Sequence, residues 1–282
     1  MDFNKFIGKT VFVSGTSKNS GKTTFLNYLS NKMRDKTEFC RLTIGIDGEI
    51  TDSVFGNIKP RVFVEKNDFI VTTEHEIHKS GGDFCIYEVF PYKTVEGRLV
   101  FARAGRRARI SLIGPETNDY LGNIIKIVKK HVNTIFVDGA GDRVTQISSV
   151  ENSVFFYIFF IENNSLNKSI EKIFQINDYS EVSDEYKNIL YKKIKGIITL
   201  NKISNIEKDI KNIVFEDMTK IFLDFAQWKK IRKKYNIFFE NKLELAGIVV
   251  NSKMIETDLI KKLLNKKVNL DYIIFNPYKH IV

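Results

Sequence analysis

Apolar residues along this chain come in short continuous bursts separated by polar stretches. Four bursts are the clearest: "TVFVS" (10–14), "FCRLTIGI" (39–46), "TIFVD" (134–138) and "VFFYIFFI" (154–161). Four more follow: "KGIITL" (195–200), "TKIFLD" (219–224), "LAGIVV" (245–250) and "LDYIIF" (270–275). Runs of β-branched and aromatic residues of this length, bounded by turn residues, predict strands buried on both faces, as in a parallel sheet. Helical patterns lie between several of them, over Thr23–Met33, Asn118–His131, Phe225–Tyr235 and Glu256–Leu264. The alternation predicts an α/β fold with a doubly wound, mainly parallel sheet.

One region breaks the rhythm. Residues 58–112 hold "RVFVEKNDFIVTT", "FCIYEVF" and "GRLVFARAG", paired strand candidates with little helix between them. "EKND" between two apolar runs predicts a hairpin turn. The expectation is a single domain over residues 1–282 with an antiparallel, hairpin-rich insertion at about 58–112. No internal repeat, low-complexity segment or flexible linker interrupts it.

Composition narrows the class. At 43% hydrophobic and 28% charged residues, the 282-residue chain has ample material for a core. No apolar run approaches the ~20 residues of a membrane span. The first strand and loop begin within a dozen residues, which leaves no room for a cleaved leader. Cys40 and Cys85 are too few for a disulfide framework and lack metal-ligand spacing; both lie in apolar stretches, which predicts buried free thiols. These features predict a cytoplasmic protein with no membrane partner. The net charge of +10 raises nucleic acid as a partner, but the lysines are scattered. Local clusters occur only at "RRAR" (Arg106–Arg109) and "KKIRKKY" (Lys229–Tyr235), the second of which fits the solvated face of a helix. Charge is the one feature in favour of a nucleic-acid partner and its scatter argues against one, while a homodimer stays open.

The chemistry begins at "VFVSGTSKNSGKTTFLNYL" (11–29), an apolar run, a glycine-bracketed loop and the start of an amphipathic segment. A phosphate-binding loop G-x-x-x-x-G-K-[ST] needs a buried strand before it and a helix after it. Both are predicted here. However, five residues separate Gly15 from Gly21, and Thr16 stands where the first glycine is usual. Glycines at 15 and 21 would let successive backbone N–H groups turn toward an oxyanion, with a helix N-terminus aimed at the same place. Gly15, Thr16, Lys18, Asn19, Ser20, Gly21, Lys22, Thr23 and Thr24 are the candidate nucleotide-binding residues. Lys22 would reach the outer phosphates and the Thr23 hydroxyl would ligate Mg²⁺. A plain glycine-rich turn with an incidental lysine would not require strand, loop, helix and "GKTT" together.

A second site element is "NTIFVDGAGDR" (133–143), an apolar strand ending in Asp138 and followed by Gly139-Ala140-Gly141. A carboxylate at the C-terminal end of a parallel strand lies beside the first strand's loop in this architecture, where it can hold Mg²⁺. Asp47, in "IGIDGE" after the second burst, is a third candidate, as Mg²⁺ ligand or as a group orienting water. Lys22, Asp47 and Asp138 are thus the catalytic candidates, and Thr23, Asp47 and Asp138 the metal candidates. Asn251, in "GIVVNSK", and more weakly Asn201, in "IITLNK", follow late strands; an amide there could offer donor and acceptor to a purine edge. The cofactors implied are ATP, with GTP open, and Mg²⁺.

"GTSKNSGKTT" resembles the G-T-x-x-x-x-G-K-[ST] loop of the dethiobiotin synthetase and cobyrinic-acid amidase families, in which the first glycine is followed by Thr. "DGAGD" is similar to the E-G-A-G element of dethiobiotin synthetase, with Asp for Glu, and "GIVVN" to its purine-reading strand end. The resemblance implies a P-loop NTPase fold and explains the extra residue as sub-class spacing. It leaves three functions open. An ATP-dependent ligase of dethiobiotin synthetase type would carry Lys-Pro after the second strand; here that strand ends "GIDGE", and Lys59-Pro60 comes later. A partitioning-type ATPase would carry a further lysine where Ser17 stands, with Lys18 one residue off. The third is carried by the order of "SKNSGKTTFLNYL", "GIDGEITDSVFGNIKPRVFV", "FVDGAGDR" and "EDMTKIFLD". That order resembles the KamB family, the P-loop subunits of the reactivating factor for lysine 5,6-aminomutase. It implies a chaperone that works with a MutS-like ATPase partner to exchange damaged cobalamin on the aminomutase, its own chemistry being nucleotide hydrolysis. Finally, Arg103, Arg106, Arg107 and Arg109 could clamp phosphates or an acidic partner, or could protect a solvated hairpin edge.

Overall fold

The computed structural model describes residues 2–16, 20–47, 62–139, 150–207, 209–265 and 267–277. Along the chain these form β1 (Thr10–Gly15), α1 (Lys22–Met33), β2 (Phe39–Thr43), β3 (Ile46–Asp47), β4 (Phe63–Val64), β5 (Phe69–Thr73), α2 (Glu74–Ser80), β6 (Phe84–Thr94) and β7 (Gly97–Ala104). There follow β8 (Ala108–Arg109), β9 (Leu112–Ile113), α3 (Asn118–Val128), β10 (Thr134–Asp138), β11 (Ser153–Phe160), α4 (Leu166–Ser180) and β12 (Lys192–Ile194). The chain ends with α5 (Leu200–Ser204), β13 (Asn212–Phe215), α6 (Phe225–Lys234), β14 (Asn236–Phe239), β15 (Glu244–Asn251), α7 (Thr257–Leu264) and β16 (Ile273–Phe275). The fold is α/β. No described helix is long and apolar enough to cross a membrane. The residues group into two compact units: one of 1–160, 249–251 and 274–282, the other of 161–248 and 252–273.

The first unit is built on a large sheet in the order β16-β15-β11-β1-β10-β2-β5-β7-β6, to which β15 contributes Val249–Asn251 and β16 its last two residues. Along β11-β1-β10-β2-β5 every pairing is parallel. Strands β1, β2, β5 and β10 are buried at every position, the pattern of a sheet covered on both faces. One cover is α1, which packs on β1 and β10 through Phe25, Leu26, Leu29 and Met33. In α3, Leu121, Ile124, Ile125 and Val128 are buried at the i, i+3, i+4, i+7 spacing of a single helix face, with the Thr117 hydroxyl accepting from the Tyr120 N–H as a cap.

The stretch expected as a hairpin-rich insertion does contain an antiparallel hairpin, β6–β7, and that hairpin extends this sheet. Strand β5 is parallel to β2, and β7 and β6 continue antiparallel beyond it. "EKND" does form a turn: the Asp68 N–H donates to the Glu65 carbonyl at 3.0 Å and Asn67 has φ 76°. It closes no hairpin, because Phe63–Val64 pair with Ala108–Arg109 rather than with β5. The short helix α2, also not anticipated, covers this edge, where Val62, Val64, Ile70, Ile77, Val100 and Leu112 form a local core. Cys40 is buried, and burial pushes its thiol far above the usual range; Cys85 is exposed on β6, contrary to expectation, because its strand is the outer edge of the sheet.

The second unit carries a three-stranded parallel sheet, β12-β13-β14, with α4 and α6 packed on each other. Trp228 of α6 is fully buried and meets the Tyr179 ring edge-on at 4.7 Å. Two expected strands are absent here. Gly196, at φ 69°, turns the chain just after β12 ends, so "KGIITL" becomes a turn leading into α5. The Asp217 carboxylate accepts the Thr219 N–H at 2.7 Å and caps a 3₁₀ turn, which interrupts "TKIFLD" and leaves only a bridge between Ile221 and Ile198. In "LDYIIF" the first half is likewise a 3₁₀ turn, capped by the Asn269 side chain.

Candidate functional site

The loop after β1 is shaped by close approach. Gly15 stands beside Ile158 of β11 in parallel register, and the next N–H, of Thr16, donates to the Ile158 carbonyl at 3.1 Å. A Cβ on Gly15 would lie 2.5 Å from the Ser20 Oγ and 2.9 Å from that same carbonyl. The two ends of the loop therefore touch, and only glycine leaves room for them. Gly21 closes the loop at φ 96°, a left-handed conformation that glycine adopts without strain, and serves as N-cap of α1. Lys22, Thr23 and Thr24 then open a 12-residue helix whose cap residue has no side chain of its own to satisfy it. Such a helix start favours an anion. Lys18 and Asn19 lie outside the described residues, as do Ser17 and Lys59-Pro60.

Asp138 ends β10, which runs beside β1 with Val13 opposite Asp138. Its residue is buried, and its Oδ2 accepts the Thr23 hydroxyl at 2.8 Å. The backbone around it is tied down on both sides. The Gly139 N–H donates to the Val13 carbonyl at 3.0 Å, and the Asp138 carbonyl accepts the Ile44 N–H at 3.0 Å and the Thr43 hydroxyl at 3.4 Å. The carboxylate and the first-turn hydroxyl of α1 thus meet at the C-terminal edge of adjacent parallel strands. They are hard oxygen donors of the kind that hold Mg²⁺. The rest of "DGAGD" lies outside the described residues.

Asn251, at the end of β15, also reaches the loop. Its Nδ2 donates to the Ser20 carbonyl at 3.2 Å, so the amide braces the turn just before Gly21. Its Oδ1 and the Ser20 hydroxyl are buried without a hydrogen-bond partner. Two candidates lie in elements other than those expected. Asp47 does not end β2 but lies in β3, a separate two-residue strand antiparallel to β9, with Leu112 opposite; the structure describes its backbone only. Asn201 is an exposed residue of α5, in the second unit, because the expected strand before it does not form.

Arg103, the first of the arginine cluster, lies at the other end of the sheet from the loop. Arg103 pairs with Phe69, the first residue of β5, so it lies at the end of the sheet opposite to Gly15 and Asp138. Each arginine described there is engaged locally. Arg103 lies over the Phe69 ring at 5.4 Å, Arg106 donates to the Gly81 carbonyl at 2.8 Å, and Arg107 meets Glu65 at 3.2 Å. Arg109 sits in β8 opposite Phe63.

One supporting residue escaped the sequence reading. A Cβ on Gly114 would overlap the Thr43 carbonyl, and its N–H donates to the Gly45 carbonyl at 2.7 Å. "GPET" therefore buttresses the backbone that in turn bonds Asp138. The only local signal was a Gly-Pro pair after an apolar run, which reads as an ordinary turn.

No known protein family, curated protein or solved structure matches this chain. The site must be judged on its geometry, and the geometry makes a direct prediction. Gly15→Ala is expected to force Ser20 and Ile158 apart at a cost of about 1–3 kcal/mol, as overpacking does. Urea denaturation would show a lower midpoint with an unchanged slope. A variant as stable as the parent would mean that the loop ends do not touch.

Proposed function

We propose that this chain is a P-loop nucleoside triphosphatase that binds ATP with Mg²⁺ and transfers the terminal phosphoryl group to water. The observation that carries the reading is the hydrogen bond between Thr23 and Asp138, at the mouth of a loop that only glycines can close. In P-loop enzymes a first-turn Ser or Thr and a strand-end Asp share the metal. Here Thr23 Oγ1 and the Asp138 carboxylate would hold Mg²⁺, which when bound neutralises charge on the phosphate oxygens. Backbone N–H groups of the loop and the start of α1 bind those oxygens, and Lys22 places its charge on the outer phosphates. Asn251 keeps the loop in shape through Ser20. On the same reading Asp47, a few residues after β2, would orient the attacking water. Positioning and charge stabilisation do the work, with no covalent step on the protein. GTP fits the same phosphate grip.

For what the turnover serves, the reading rests on an order of segments, from "SKNSGKTT" through "FVDGAGDR" to "EDMTKIFLD", that resembles the KamB family. On that basis the chain works with a MutS-like ATPase to reactivate lysine 5,6-aminomutase. The experiment starts from aminomutase inactivated with cyanocobalamin, to which this chain, the partner, ATP, Mg²⁺ and adenosylcobalamin are added. Activity is expected to return only when all are present. No recovery with a chain that hydrolyses ATP would discard the reactivase role and keep the ATPase.

A further inference from the structure

The second unit contains a hollow of about 560 Å³ between α4 and α6, within the size range of small-ligand sites. Its floor is aromatic: Phe174 of α4 and Phe225 of α6, half-buried, with ring centroids 5.8 Å apart. Four cationic side chains line it, Lys229, Arg232 and Lys233 from α6 and Lys267 from the segment after α7. Two of them lie on the floor itself. The Lys267 ammonium is 4.8 Å from the Phe174 ring centre and that of Lys229 is 5.5 Å from Phe225. Cation–π contact of this kind holds an ammonium in place while leaving its outer N–H groups for a ligand.

The carboxylates of the hollow do not neutralise these lysines. Asp178 accepts the indole N–H of Trp228 and lies 3.5 Å from Arg232 Nε, so its charge is taken up by the arginine. Glu181 accepts the Asn177 side-chain amide at 2.9 Å and keeps its charge, so the lining carries four cations against two carboxylates. Among the described residues no carboxylate pairs with Lys229, Lys233 or Lys267. The wall also includes Tyr235, whose hydroxyl is buried without a hydrogen-bond partner. An ordinary solvated basic helix face spreads its charges outward over a convex surface. Here three ammonium groups without a described carboxylate partner line one concavity, which raises the local concentration of anions.

We propose that this hollow is a second anion site, taking the phosphate group of a nucleotide-sized ligand. Lys229, Lys233 and Lys267 provide the charge and the Phe174–Phe225 floor receives the apolar part. The phosphate could come from a free nucleotide or from a nucleic-acid strand; the chemistry recognised is the same. The proposal does not depend on the loop being a nucleotide site.

The test uses the full-length chain carrying Lys22→Ala, so that any phosphate binding at the loop is suppressed. Inorganic pyrophosphate, ATP and a ten-residue oligothymidylate are titrated calorimetrically at low salt. Binding of pyrophosphate and ATP is expected. It should weaken at least about ten-fold when Lys229→Gln, Lys233→Gln and Lys267→Gln are added, and should fall as salt rises. Removing the same number of charges outside the hollow, with Lys187→Gln, Lys211→Gln and Lys230→Gln, should leave it nearly unchanged. Oligothymidylate binding tighter than ATP, and lost with the same hollow lysines, would identify a strand as the source; weaker binding would identify the free nucleotide. Absence of binding by all three probes, or equal losses from the two triple variants, would overturn the proposal.

Discussion

Lys22→Ala is expected to lower ATP turnover by at least ~100-fold, and to do so without unfolding the protein. A positive charge beside phosphate oxygens in a partly water-excluded site is worth about 3–4 kcal/mol, and each 1.36 kcal/mol is a factor of ten in rate. The fold should tolerate the change because Lys22 is only half-buried and occupies the first position of a 12-residue helix, where alanine is a good helix former. Steady-state kinetics beside a thermal melt separates the two effects. A variant that binds and hydrolyses ATP normally would refute the phosphate grip. Equal loss of activity and stability would make Lys22 a structural residue.

Asp138→Asn is the second large effect. The change keeps the shape of the side chain and an oxygen able to accept the Thr23 hydroxyl, now at 2.8 Å, while removing the charge. Mg²⁺-dependent turnover should fall by about 100-fold or more, as when one charge-stabilising group is removed from an active site. Stability should hold or rise, because a buried carboxylate held for function costs desolvation that an amide does not. Activity as a function of Mg²⁺ concentration, with a parallel urea titration, reads both outcomes. Full activity in Asp138→Asn would remove this residue from the metal site.

The parts of the site that could be read from the sequence are local in the chain. Gly15, Gly21, Lys22 and Thr23 fall within a single strand–loop–helix unit, and Asp138 marks its own strand end, so spacing alone identified them. Contacts that depend on strand order were out of reach. The Asn251–Ser20 bond spans 231 positions, and the Gly114 contact on Thr43 requires β9 to cross beside β2. Asp47 was misplaced for the same reason: "FCRLTIGI" is one apolar burst in sequence but divides into β2 and β3, which pair with different partners.

The fold shows the same division. Long apolar bursts became β1, β10 and β11 because their burial on both faces leaves no alternative. Helix α4 was missed although Ile170, Ile173, Ile176 and Tyr179 recur every third residue on its buried side. Its isoleucines and asparagines are weak helix formers, and packing supplies what propensity does not. Strands β12, β13 and β14 are three or four residues long, so neighbouring strands rather than intrinsic preference decide them. A single tight turn was enough to abolish a strand at Gly196 and at Asp217.

The central claim is that the loop and Asp138 together hold a magnesium nucleotide. Its most direct measurement is calorimetric titration of ATP into the full-length chain, with Mg²⁺ and with EDTA, in the parent and in Thr23→Ala. The account predicts binding that tightens at least about ten-fold with Mg²⁺ in the parent, an increment that Thr23→Ala loses, since it removes one of the two metal donors. Affinity that is the same with Mg²⁺ and EDTA in the parent, or a Mg²⁺ increment that survives in Thr23→Ala, would contradict it.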